Sequence, residues 1–176
     1  LSKSTTAKRH AGARSAKAGK IKARLKQNRA TSADAASPIG WFNYAVAYLR
    51  AAQTLYKHET GVAHSSAPVE FLYYHAIELL LKTYLLHSGL NEKQLKALGH
   101  GLIALGEECE TRGLYLTGAH RETIDFIEHQ GNLFKSRYIR LGRFQRASFA
   151  DLNKLAGHIA NTLRDILFKS ADASTD

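Results

Sequence analysis

A chain of 176 residues with 25 Lys and Arg against 15 Asp and Glu carries a formal net charge of +10, and this length suffices for one domain with its own core. A single cysteine, Cys109, excludes an internal disulfide and any cysteine-based zinc spacing. The most apolar stretch, Phe71 to Leu86, is 16 residues long and interrupted by His75, Glu78 and Lys82, whereas a membrane span needs about 20 mostly apolar residues. The expectation is a cytoplasmic protein that does not enter the membrane.

The charge is concentrated at one end. Residues 1–36 hold ten of the Lys and Arg and one acid, Asp34, while the remainder has 15 bases against 14 acids. Leu1, Ile21 and Leu25 are the only large apolar residues of this arm, so it is expected to stay flexible. It admits three readings: a solvated tail, an arm that binds polyanions, or a cleavable targeting peptide. A folded domain is expected over 37–170, followed by a short tail at 171–176.

Ordered structure begins at Ser37-Pro38, an N-cap followed by the residue best tolerated in a first helical turn. Trp41, Ala45, Tyr48, Ala52 and Leu55 then recur at helical spacing, flanked by Phe42, Leu49 and Tyr56, and this helix is expected to stop near Gly61. Ser66 and Pro68 restart the chain into a helix running to about Ser88, with Gly89 as its stop. That helix is apolar around most of its circumference, so it must be covered on several sides. A short helix from Asn91 to Leu98 follows. The stretch from His100 to Arg112 reads as another, with Leu102, Leu105 and Cys109 inward and Gly113 at its end. Residues 119 to about 141 carry a fifth pattern through Ile124, Ile127, Phe134 and Tyr138. Ser148 and Asp151 resemble a capping box ahead of Leu152, Leu155, Ile159, Leu163 and Ile166. No segment alternates with period two, so the predicted fold is all-α: an up-and-down bundle of four long helices and one or two short ones.

This order of parts, with HAIELLLKTYLLHSG, then LGHGLIALGEECETRGL, then SRYIRLG before a final amphipathic helix, resembles the HEPN domain family. The similarity spans roughly residues 40–168 and rests on Ala76, Glu78, Leu81, Lys82, Leu85, Gly89, Gly99-His100, Leu102, Leu105 and Gly113. It implies a helical bundle, often a homodimer, of the kind found in prokaryotic defence and toxin systems and in RNA-processing proteins. Many members are metal-independent ribonucleases whose site is Arg, four to six residues, then His, presented twice across a dimer interface. That spacing is missing here. Arg112 and His120 have seven residues between them, as do Arg50 and His58, which on a helix leaves the pair about 80° apart.

Three sets of residues are candidates for function. His75, Glu78 and Lys82 lie within about 60° of one another on the helical wheel and form either an acid–base cluster or an i, i+4 ion pair that serves the fold. His100, between two glycines at a helix start, reads first as a capping and packing residue; with Arg112 and His120 it completes the candidate catalytic set of a displaced ribonuclease site. Lys135, Arg137, Arg140, Arg143 and Arg146 follow one another without an intervening acid, near Tyr138, Phe144 and Phe149, and read either as a nucleic-acid surface or as cations favoured by the dipole at a helix C-terminus with Tyr138 in the core. Cys109 reads as a core residue. The histidines are too scattered for a metal site, and no metal or cofactor is expected. The leading expectation is a noncatalytic RNA-associated module; the alternatives are an active ribonuclease and a module that binds an acidic protein partner.

Overall fold

The computed structural model describes residues 37–58, 66–131 and 146–172, and these are helical with no strand among them. Residues 1–36 fall outside, as do Lys135, Arg137, Arg140 and Arg143 of the expected basic surface. The unit that begins at Pro38 contains helices α1 (Pro38–Lys57), α2 (Ser66–His87), α3 (Glu92–Leu98), α4 (Leu102–Thr111), α5 (Gly118–Phe126) and α6 (Phe149–Asp172). A π-helical turn, Ile127–Gly131, continues α5. Three of these helices are long, and the fifth expected pattern is described only as far as Gly131; Phe134 and Tyr138 lie beyond it.

Helix α2 is central because almost none of it can face water. Fifteen of its 22 residues are buried, and α1, α3, α4 and α6 all pack on it. Tyr73, Tyr74, Ile77, Leu80, Leu81 and Leu85 are its large buried side chains. Gly89 closes the helix at a φ of 96°, a backbone conformation that costs a side-chain-bearing residue about 1–2 kcal/mol. Leu90 N–H donates to Leu85 O at 3.0 Å and Gly89 N–H to Leu86 O at 3.2 Å, the paired bonds of a Schellman stop. Helix α4 ends the same way, with Gly113 at 97° and bonds from Leu114 N–H to Cys109 O and from Gly113 N–H to Glu110 O.

Helix α1 departs from the expected face. Its buried residues are Phe42, Ala45, Leu49 and Ala52, while Trp41 and Tyr48 are half-buried and Leu55 and Tyr56 are exposed. Both stripes are apolar at helical spacing, so periodicity alone does not choose between them. Ala45 and Ala52 belong to both stripes and are buried as expected; the change is that Phe42 and Leu49, expected as flanks, are buried where Tyr48 is half-buried and Leu55 exposed. The other inward sets agree with expectation: Leu102, Leu105 and Cys109 on α4, Ile124 on α5, Ile127 after it, and Leu152, Leu155, Ile159 and Leu163 on α6. Ser148 Oγ caps α6 by accepting from Ala150 N–H at 3.2 Å, but Asp151 N–H bonds the Ser148 carbonyl and its carboxylate pairs with Lys154, so the expected capping box is replaced by a simple N-cap.

Candidate functional site

The sequence places three ionisable groups on the most buried helix, and the fold adds a fourth. Glu78 sits midway along α2 with its side chain 3% exposed, and Lys82, one turn later, is 10% exposed. Lys82 Nζ donates to Glu78 Oε1 at 2.7 Å. Helix α3 is held by a capping box between Asn91 and Gln94, and Gly99 then turns the chain at a φ of 73°. That turn brings His100 back to α2, where its Nδ1 lies 2.8 Å from the same Glu78 oxygen.

His100 is therefore not a cap, contrary to its expected role. The α4 N-cap is Gly101, which makes no side-chain capping bond, and the orphan N–H of Leu102 donates instead to Glu128 Oε2 at 2.6 Å. Glu128 lies in the π-helical turn, 26 residues further along the chain. Sequence spacing could not have found it, because caps are sought within a few residues of the helix they close.

Burial penalises a charge on Glu78, yet His75, Lys82 and His100 together outweigh that penalty and hold its carboxyl down at about 2. An ionised carboxylate only accepts hydrogen bonds, so His100 donates from Nδ1. The His100 side chain is 54% exposed. His75 completes the cluster at longer range, its Nδ1 lying 3.9 Å from Glu78 Oε2. That distance is too long for a hydrogen bond, and both atoms are buried without a hydrogen-bond partner. The His75 ring meets Tyr48 edge-on at 4.5 Å and stacks on Phe71 at 6.0 Å.

The remaining candidates are dispersed. Arg112 donates to Glu108 Oε1 at 2.7 Å and to Ser88 O at 3.2 Å. His120 caps α5: its backbone N–H donates to Thr117 Oγ1, and its Nδ1 accepts from Thr117 N–H at 3.4 Å. Its ring lies 4.6 Å from that of His158, and burial together with His158 lowers its pKa. No hydrogen bond joins Arg112 to His120 among the described residues. Arg146 is paired with the buried Glu70 at 3.0 Å. Cys109 donates to Leu81 O, and burial pushes its thiol well above the ordinary range, as befits a core residue.

Comparison of the chain with protein-family models, curated proteins and solved structures finds no match. Among the described residues, no group of three or more His, Cys, Asp and Glu side chains could hold a metal ion, and no helix is long and apolar enough to cross a membrane. Glu78 can do one thing well: fix the orientation of the His100 ring while tying the α3–α4 turn to α2.

Proposed function

We propose that residues 37–170 form a HEPN-like helical bundle that acts as a noncatalytic RNA-binding module, as a homodimer in a bacterial stress or defence system. The observation that supports it is how the chain distributes its charge. Within the described residues five cations are paired with acids: Lys82 with Glu78, Arg146 with Glu70, Arg112 with Glu108, Arg121 with Glu110 and Lys154 with Asp151. The excess of positive charge lies in residues 1–36 and in Lys135, Arg137, Arg140 and Arg143, which precede the Glu70-paired Arg146. Such an excess favours a polyanion, and its binding is driven by counterion release. The displaced Arg112 and His120 set, each member engaged with its own neighbours, gives no support to cleavage.

Fluorescence anisotropy of a labelled single-stranded RNA with the full chain tests this reading. Affinity is expected to fall by more than about tenfold between about 50 and 200 mM salt, with weak dependence on sequence. The RNA is expected to remain intact on prolonged incubation. Salt-independent affinity would overturn the proposal.

One observation favours a second reading. The carboxylate–imidazole pair of Glu78 and His100, half open to solvent, is the arrangement by which acid–base histidines are oriented. RNA cleavage in the presence of a chelator, abolished by His100→Ala, would replace the binding module with a metal-independent ribonuclease.

A further inference from the structure

The outward face of α1 carries exposed aromatic surface next to the cluster above. Tyr44, Ala51 and Leu55 fall on one stripe with Tyr48 beside them, and Arg50 and Lys57 fall on a second stripe about 120° around the helix. Ala47 and Thr54, both small, lie between the two. Tyr44 is 56% exposed and Leu55 38%. The ring of Tyr44 is not loose: it meets Tyr48 edge-on at 5.1 Å with the two hydroxyls 3.2 Å apart, and Tyr48 in turn rests against His75. An exposed aromatic ring held in place from behind pays little ordering cost when a planar ligand stacks on it.

Charge identifies the kind of ligand. Helix α1 contains Arg50 and Lys57 and no acid at all. Both cations are exposed, and neither has an ion-pair partner among the described residues, in contrast to Lys82, Arg112, Arg121 and Arg146. A second copy docking through its own α1 would add two more cations to this face and no acid to offset them. A polyanion with aromatic bases matches both stripes at once: bases on Tyr44, phosphates on Arg50 and Lys57. Tyr44 to Lys57 spans about 20 Å along the axis, room for a few nucleotides.

We infer that this face of α1 is a binding surface for single-stranded RNA, with Tyr44 as the stacking residue and Arg50 and Lys57 as phosphate contacts. The inference rests on the RNA-binding reading above and locates a specific surface for it. Trp41 is the only tryptophan and lies on α1 within one turn of Tyr44, so its fluorescence reports occupancy directly. Titration of the full chain with oligouridylate is expected to quench Trp41. Tyr44→Ala should weaken binding about tenfold, and Tyr44→Phe, which keeps the ring, should retain it. Arg50→Glu should weaken binding and reduce the steepness of its salt dependence by about one phosphate contact.

Tyr44 and Arg50 are exposed, so unchanged far-UV circular dichroism and thermal unfolding are expected for all three variants. If the wild type binds while Tyr44→Ala and Arg50→Glu bind equally well, the surface assignment fails and the RNA reading survives on other cations. If the wild type does not bind at about 50 mM salt, both fall together. If Tyr44→Ala leaves RNA affinity intact and changes the mass measured by light scattering, the face joins two copies of the chain, and the inference is overturned.

Discussion

At Glu78 three neighbours compensate one buried charge, and the strength of the arrangement lies in what happens when it is broken. Glu78→Ala leaves Lys82 buried without a counterion, which costs about 3–5 kcal/mol in a site of this kind, where an exposed i, i+4 pair would cost a few tenths. Urea unfolding at neutral pH measures it, and a loss below about 1 kcal/mol would place the pair effectively in solvent. The same residue sets a dependence on acid. In the folded chain Glu78 stays ionised down to about 2, against 4.5 for the free side chain. Its stabilising contribution is therefore complete above pH 4.5 and is lost progressively as pH falls from there toward 2. The stability difference between the wild type and Glu78→Gln should narrow from about pH 6 to about pH 3; a constant difference would exclude Glu78 as the titrating group.

At the scale of the element, local signals and remote ones separate cleanly. Helix ends at Gly89 and Gly113 were legible because a Schellman stop needs a residue free to take positive φ, and glycine advertises that in the sequence. The Glu78–Lys82 pair was legible because i, i+4 neighbours meet on any helix. The face of α1 was legible only in part: Ala45 and Ala52 are buried as expected, but Phe42 and Leu49 are as periodic as Trp41, Tyr48 and Leu55, and only packing against α2 selects them. The role of His100 was hidden for a related reason: its partner lies 22 residues back on a different helix. The cap of α4 is the most remote of these. Glu128→Ala should leave Leu102 N–H without its acceptor and lower stability by about 1 kcal/mol, the usual value of a lost N-cap. Amide hydrogen exchange should accelerate first in the opening turn of α4, and uniform acceleration across the domain would argue for a broader role of Glu128.

On the scale of the whole unit, α2 couples the other helices because α1, α3, α4 and α6 share it as a packing partner. Asn153 on α6 adds a polar tie, accepting from Gln53 of α1 at 2.8 Å and from Tyr73 of α2 at 3.4 Å. A helix shared in this way has no independent layer to lose, so damage to it should be felt as a single cooperative event. Leu80 provides the test, being fully buried at the middle of α2. Leu80→Ala removes its packing and opens a cavity that neighbours on several helices can only partly fill, at a cost of about 2–5 kcal/mol. Trp41 fluorescence reports on α1 and far-UV circular dichroism on all the helices together. Their denaturant midpoints should fall by the same amount and remain coincident in the variant. Separate transitions would show that α1 can leave the unit while the remaining helices stay folded, and would confine the coupling through α2 to its contacts with α3, α4 and α6.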